Sequence, residues 1–141
     1  MATWLLKTEP GEFSYADLAR DRRATWDGVT NPQAVNFLRE VAKGDEAFIY
    51  HTGDEKAIVG LAKVTHGAYA DPDQPALDAQ GRPKFVVIDL APGKPAKQPL
   101  TLAAIKADAR LKDFALVKHS RLSVMPVPPA IERLIRAACG L

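Results

Sequence analysis

The feature that most limits the fold is the irregular order of short apolar segments, which prolines and glycines separate along the chain. Candidate strands and helices are interleaved without the regular strand–helix–strand spacing of a doubly wound sheet. We therefore predict an α/β (α+β) fold, a small mixed β-barrel of five or six strands flanked by short helices. The length of 141 residues is typical of one domain, so we expect a single domain over residues 1–141.

Two helices have clear start signals. Ser14 can cap a short helix over residues 15–20. Asn31 precedes Pro32, which is favourable at the first position of a helix because its missing N–H needs no partner there. Apolar residues then recur at intervals of three and four, as on the buried face of an amphipathic helix: Ala34, Phe37, Leu38 and Val41.

Strands are predicted from short runs of apolar and β-branched residues. A turn at Gly53-Asp54 indicates that two of these strands form an antiparallel pair. The predicted strands cover residues 4–7, 46–51, 58–65 and 85–90, and residues 71–83 are predicted to form a surface loop.

The C-terminal part is divided by prolines. Pro92-Gly93 is expected to end the strand at 85–90, and short extended pieces are expected at 116–117 and 122–127. Thr101 can cap a helix over residues 102–107. A last helix should begin near Pro129 and bury four apolar residues: Ile131, Leu134, Ile135 and Ala138.

Composition places the chain among ordinary globular proteins, with 47% hydrophobic and 26% charged residues. No apolar run approaches the roughly 18–20 residues that span a membrane. The N-terminal segment does not resemble a secretory signal, so we expect a cytoplasmic location. We also expect no membrane partner and a monomer. The single cysteine, Cys139, cannot form an internal disulfide, and we predict that it packs in the last helix.

The charges are unevenly distributed along the chain. Residues 1–81 contain 8 Lys and Arg against 13 Asp and Glu, whereas residues 82–141 contain 11 against 4. A basic half can bind phosphates with salt-sensitive affinity. The same asymmetry is also compatible with charges that mix on a solvated surface, so by itself it only suggests nucleic acid as a partner.

No catalytic or metal-binding motif is present. His51, His66 and His119 are far apart, and there is no nucleophile elbow, phosphate-binding glycine loop or CxxC pair. We therefore predict that the chain is not an enzyme and uses no cofactor or metal.

Three polar stretches contain the groups that a pocket for a nucleobase uses. They are residues 26–31 (WDGVTN), 50–53 (YHTG) and 121–124 (RLSV). An aromatic face can stack on a base, polar groups can reach its edge, and a cation can contact a phosphate. Each stretch also has a structural interpretation as a packed tryptophan, a strand end or a surface turn. The residues alone thus indicate a small barrel with a candidate aromatic pocket.

Six segments, in order from residue 4 to residue 127, resemble the motifs of the EVE domain family. They are WLLKTEP at residues 4–10, WDGVTN at 26–31, KGDEAFIYHT at 43–52, IVGLAKV at 58–64, YADP at 69–72 and RLSVMPV at 121–127. Any one of them would be weak support. The ordered set covers nearly the whole chain and is specific.

The resemblance implies a PUA-like fold, related to the YTH domains that read methylated adenine in RNA, and a non-catalytic pocket for one modified base. In one branch of the family the implied ligands are modified cytosines in DNA, such as 5-methyl- or 5-hydroxymethylcytosine. Trp26 would be the stacking wall and Asn31 an edge or backbone contact. The other implied ligand-binding residues are Lys7 and Thr8 at the rim, Tyr50, His51 and Thr52 in the lining, and Arg121 and Ser123 on the far side.

The chain departs from the family pattern at Pro32, where the resemblance leads us to expect an aromatic residue. This departure affects which ligand the pocket prefers. The loss of that side chain would remove one apolar wall of the pocket.

Three functions remain open from the sequence. A reader of modified bases in DNA or RNA predicts a cavity that contains Trp26 and is ringed by positive potential. An enzyme acting on a nucleotide would use His51 or Asp27 as its general base. A small interaction domain would take a free, nucleotide-like metabolite in the same pocket.

Overall fold

The computed structural model describes residues 1–141 and contains one six-stranded sheet and five short helices. The strands are β1 (Thr3–Thr8), β2 (Ala24–Trp26), β3 (Glu46–His51), β4 (Ala57–Ala70), β5 (Val86–Thr101) and β6 (Val124–Pro126). The helices are α1 (Tyr15–Asp21), α2 (Pro32–Arg39), α3 (Leu102–Ala107), α4 (Ala115–Lys118) and α5 (Pro129–Cys139), with a 3₁₀ turn at Ala109–Leu111. None of the helices is long and apolar enough to cross a membrane.

The sheet is mixed, with the strand order β2-β5-β4-β3-β1-β6. β1 and β3 are parallel, and every other neighbouring pair is antiparallel, which confirms the predicted pairing of β3 with β4. The register between β4 and β5 shifts at four places. Such irregularities bend and twist strands, so they let the long central pair curl. The curled sheet confirms the predicted α+β class and agrees with the PUA-like barrel that the resemblance implies.

The predicted helix starts are confirmed. The Ser14 side chain accepts a hydrogen bond from the Asp17 N–H, and Asp17 accepts one from the Ser14 N–H in return, which is a complete capping box. Asn31 caps α2, and Pro32 occupies the first turn. Both caps satisfy backbone donors that a helix cannot satisfy by itself.

The course of β5 differs from the prediction, because the strand does not end at Pro92-Gly93 but continues to Thr101. Beyond Leu90 only β4 pairs with β5, since β2 reaches no further along it. A proline in a strand is tolerated where its missing N–H falls on such an open edge. Gly93 allows β5 to lie close to β4, because a Cβ added at Gly93 would lie 2.7 Å from the Leu61 carbonyl oxygen.

Three smaller elements also differ. Residues 116–117, predicted as extended, lie in α4, where Leu116 is buried. Strand β2 was not predicted, because three residues give no periodic pattern. In α5 the buried residues are Ile135 and Cys139, whereas Ala138 is exposed and the predicted packing of Ala138 is therefore wrong. The predicted packing of Cys139 is confirmed.

Tyr15 fixes α1 on the sheet through three separate contacts. Its backbone N–H donates to Nε2 of His51 at 2.9 Å, and its hydroxyl donates to the Leu61 carbonyl at 2.8 Å. Its ring lies on Gly60, where an added Cβ would be only 2.5–2.9 Å from the ring atoms. Helix α1 can therefore take this position only because Gly60 has no side chain.

Asp45 joins the start of the chain to the sheet. Its buried carboxylate accepts hydrogen bonds from the backbone N–H groups of Ala2 and Ala42 and from the indole Nε1 of Trp4, at 2.9–3.0 Å. Burial alone would raise the pKa of Asp45, but these three donors hold the pKa below its usual value.

We predict that Gly60→Ala lowers the free energy of unfolding by about 1–3 kcal/mol, because the new methyl group overpacks the Tyr15 ring. Gly11→Ala is the matched control, since the nearest atom to its added Cβ is Glu9 Oε1 at 3.8 Å and the site is exposed. Urea denaturation of the three proteins measures the difference. Equal stability of Gly60→Ala and wild type would show that Tyr15 is not confined as described.

We predict that Asp45→Asn costs about 2–4 kcal/mol of stability at neutral pH, because an amide replaces a charged acceptor of three donors. The folded pKa is depressed, so the stabilisation is present above the unfolded pKa of about 4 and is lost as pH falls through the folded pKa. The difference in the free energy of unfolding between wild type and Asp45→Asn should therefore become smaller in denaturation experiments below about pH 4. Asp54→Asn is the control, because Asp54 is exposed. A stability difference between wild type and Asp45→Asn that is constant with pH would contradict the prediction.

Candidate functional site

The main cavity has a volume of about 550 Å³ and opens where the β1–α1 loop, the β2–α2 turn and the start of β6 meet. Its lining consists of residues 7–9, 12–13, 24–31 and 123. The volume is within the range of pockets that take small molecules. Five of the predicted site residues contribute to this lining: Lys7, Thr8, Trp26, Asn31 and Ser123.

Two aromatic side chains form one wall of the cavity. Trp26 ends β2, where it pairs with Ile88, and its side chain is 8% exposed. The Phe13 ring meets the indole edge to face, with ring centroids 6.2 Å apart and planes at 81°. The Thr8 hydroxyl donates to the Phe13 carbonyl at 2.7 Å, which holds the backbone of Phe13 next to β1. The indole is thus fixed from behind by its strand and from the side by Phe13.

The turn from Trp26 to α2 supplies polar groups. Gly28 adopts φ of +75°, a conformation that residues with a side chain rarely adopt. Asn31 Oδ1 accepts from the N–H groups of Gln33 and Ala34 at 3.0 and 3.1 Å. This cap commits the carbonyl oxygen of Asn31 to the helix and leaves Nδ2 as the group that can donate to a ligand.

Lys7 and Ser123 form the rim on the β1–β6 side. The Lys7 ammonium donates to the Ser120 carbonyl at 2.9 Å and lies 5.8 Å from the centre of the Tyr50 ring. Burial lowers the pKa of Lys7, and no carboxylate pairs with it. The Ser123 carbonyl accepts from the Lys7 N–H, so its backbone is fixed beside β1.

The electrostatic character of the cavity differs from the prediction of a positive ring. Three carboxylates line it, from Glu9, Glu12 and Asp27, against the single ammonium of Lys7. The Glu9 carboxylate accepts from the Thr52 hydroxyl at 3.2 Å. These groups are not arranged to hold a metal ion, and no other group of three His, Cys, Asp or Glu residues is either. The carboxylates make the cavity a place for hydrogen-bond donors of a ligand.

The other four predicted site residues lie outside the lining. His51 is buried, with Nε2 accepting from Tyr15 and Nδ1 lying 3.0 Å from Glu55 Oε1, a pairing that assigns the proton to Nδ1. Tyr50 is buried beneath Lys7, and Thr52 contacts Thr8 and Glu9. Arg121 lines a separate notch beside the cavity. Contact of these four residues with a ligand stays a prediction. Within the chain, Tyr50 and Thr52 contact residues that line the cavity, and His51 holds Tyr15.

The sequence did not indicate Phe13, Glu9 and Glu12 as site residues. Glu9 lies within the WLLKTEP segment, so its motif could have identified it. Phe13 and Glu12 belong to the loop after that segment, where both N–H groups donate to the Glu9 carbonyl and the Phe13 carbonyl accepts from the Thr8 hydroxyl. Pro32, which replaces a frequent aromatic residue, is exposed and does not line the cavity.

Comparison with known proteins identifies relatives along almost the whole chain. The model of the EVE domain matches residues 2–138. Human thymocyte nuclear protein 1 is 34% identical over 152 residues, which cover 88% of this chain and 68% of that protein. The chicken protein of the same name is 36% identical, covering 88% of this chain and 63% of its own length.

Solved structures resemble the fold equally well. The NMR structure of a protein from Rhodopseudomonas palustris superposes with a TM-score of 0.88 at 42% identity, covering 99% of this chain and 94% of that one. The crystal structure of human THYN1 in complex with 5-methylcytosine-containing DNA has a TM-score of 0.89 at 30% identity, covering 98% and 97% of the two chains. Since the family model spans nearly every residue and these relatives share the architecture, the chain belongs to the EVE domain family.

Proposed function

We propose that the chain binds nucleic acid without catalysing a reaction and captures one modified base, a modified cytosine in DNA, in the cavity beside Trp26. The observation that carries the proposal is the arrangement of Trp26 and Phe13 as an aromatic wall next to polar groups of both hydrogen-bonding types. The complex of human THYN1 with DNA containing 5-methylcytosine supports the choice of ligand, because the two chains share their fold.

Stacking on Trp26 is the first step of recognition. An aromatic side chain contributes roughly 1–3 kcal/mol per stacked base. Extrusion of a base from a duplex costs a few kcal/mol, so stacking about balances it. The remaining affinity has to come from the edge of the base and from phosphates. We therefore expect binding in the micromolar range or weaker for the chain alone.

The polar groups of the cavity match the edge of cytosine. Carboxylates accept hydrogen bonds from the exocyclic amine of cytosine, and Glu9, Glu12 and Asp27 supply them. Asn31 Nδ2 and the Ser123 hydroxyl can donate to the acceptors of the same base. Val29 adds an apolar surface to the lining. A methyl group in an apolar site changes binding by about 1–3 kcal/mol, which gives a preference but not absolute selectivity.

The state of His51 supports a binding role over catalysis. A general base must reach the proton that it removes. Both nitrogens of His51 already have partners within the chain, and its ring does not line the cavity. Asp27 does line the cavity, but no imidazole or thiol accompanies it there.

The first test is binding of matched oligonucleotides that contain cytosine, 5-methylcytosine, 5-hydroxymethylcytosine or N6-methyladenine, as DNA and as RNA, at two salt concentrations. We expect a modified cytosine in DNA to bind about 5- to 150-fold more tightly than cytosine, with all affinities falling as salt rises. Fluorescence anisotropy measures both effects. Equal affinity for all bases would refute the proposal, and a preference confined to RNA would refute the choice of DNA.

We predict that Trp26→Ala removes the preference for the modified base and weakens its binding by about 5- to 150-fold, because the stacking surface is lost. Trp26→Phe should retain a measurable preference, since it keeps an aromatic face. Circular dichroism and thermal denaturation of both variants would show whether the fold is intact, because the indole is also packed. A folded Trp26→Ala protein with the wild-type preference would contradict the role of Trp26.

A further inference from the structure

A second concave site, here called the basic notch, adjoins the cavity. It has a volume of about 300 Å³ and is lined by Asn31, Gln33 and the residues from Lys118 to Leu122. No acidic side chain lines it, in contrast with the three carboxylates of the cavity. The two sites therefore differ in the sign of the charge that they favour.

The cations of the notch are available to a ligand. Arg121 is exposed and forms no ion pair within the chain, and His119 forms no side-chain hydrogen bond. Lys118 pairs with Asp113 at 3.1 Å, but both side chains are more than half exposed. Exposed pairs of this kind are worth little, so Lys118 can exchange its partner for a stronger anion.

Anion binding in the notch would rest on side chains rather than on the helix. The first free N–H groups of α2, from Gln33 and Ala34, already donate to Asn31 Oδ1, and Pro32 has none. The donors that remain are the guanidinium, ammonium, imidazole and amide groups of the notch. Arg121 is the most suitable of these, because a guanidinium can contact a phosphate through two parallel hydrogen bonds.

The notch and the cavity are adjacent. Asn31 lines both sites. Lys7 lines the cavity, and its ammonium donates to the carbonyl of Ser120 in the notch at 2.9 Å. Any ligand that fills the cavity with its base therefore has a positively charged region directly beside it, on the side of Lys7 and Asn31.

We propose that the basic notch is a subsite for a phosphate group of the captured nucleotide, with Arg121 as its principal contact. The inference rests on the proposed function, since the base occupies the adjacent cavity. A phosphate in the notch is attracted by Arg121 and Lys118 and keeps clear of Glu9, Glu12 and Asp27, so it gives the nucleotide one orientation in the site.

The test compares 5-methyl-2′-deoxycytidine with its 5′- and 3′-monophosphates, by NMR titration of wild type, Arg121→Gln and Arg133→Gln. Arg133 is a matched control, because it is also exposed and unpaired but lies on α5, outside both sites. We expect one monophosphate to bind wild type and Arg133→Gln about three- to tenfold more tightly than the nucleoside, and Arg121→Gln to lose this gain. The nucleoside affinity of each protein is the reference for its own gain, and it should be the same for wild type and Arg133→Gln. An equal gain in Arg121→Gln and wild type, or no gain in wild type, would overturn the proposal.

A second measurement applies if the mononucleotides bind too weakly to compare. The salt dependence of binding to a single-stranded oligonucleotide with one 5-methylcytosine should become shallower by about 0.7 logarithmic units per decade in Arg121→Gln and stay unchanged in Arg133→Gln. Identical slopes for both variants would show that the basic notch is not a phosphate subsite. Failure of the proposed function is recognised separately, because wild type would then show no preference for a modified base at either salt concentration.

Discussion

The contact of Tyr15 with Gly60 is the constraint on which the geometry of the site depends. The tyrosine ring can lie on β4 only because Gly60 has no side chain, and its backbone N–H and hydroxyl are held by His51 and Leu61 at either end. Phe13 precedes Tyr15 by two residues, so the same contact limits where Phe13 can meet Trp26. The aromatic wall of the cavity is therefore positioned by the packing of Tyr15 on the sheet together with the hydrogen bonds that hold Phe13 to Thr8 and Glu9.

The segments that resemble the family contain two kinds of residue, those that line the cavity and those that support the lining. Trp26 and Lys7 line the cavity, whereas His51 and Tyr50 stand behind the lining and support it, although all four belong to segments that resemble the family. Asn31 does both, because its oxygen caps α2 while its amide nitrogen stays free. A sequence motif records that a residue type is needed at a position. It does not record whether the need arises from the ligand or from the scaffold.

The fold was predictable where its signals are local. The caps at Ser14 and Asn31 are short-range arrangements that the sequence displays directly. The continuation of β5 past Pro92 depends on an open edge, which is known only when the neighbours of the strand are known. Likewise the site residues within motifs could be found, whereas Phe13 and Glu12 reach the cavity through a turn that closes on Glu9 and a ring contact of Phe13 with Trp26, which no periodicity reveals.

The opposite charges of the cavity and the basic notch suit them to different parts of a nucleotide. The carboxylates of the cavity repel a polyanion, so a strand that places no base in the cavity gains little from approaching it. In the proposed mode of binding, affinity for phosphate comes instead from the basic notch and Lys7, and this part of the affinity does not depend on the identity of the base. Under the same proposal, discrimination arises within the cavity, where stacking on Trp26 and the edge contacts act only on a base that has been extruded. A site with a positive ring would bind every strand more tightly and lose part of this difference, since selectivity is a difference between two affinities.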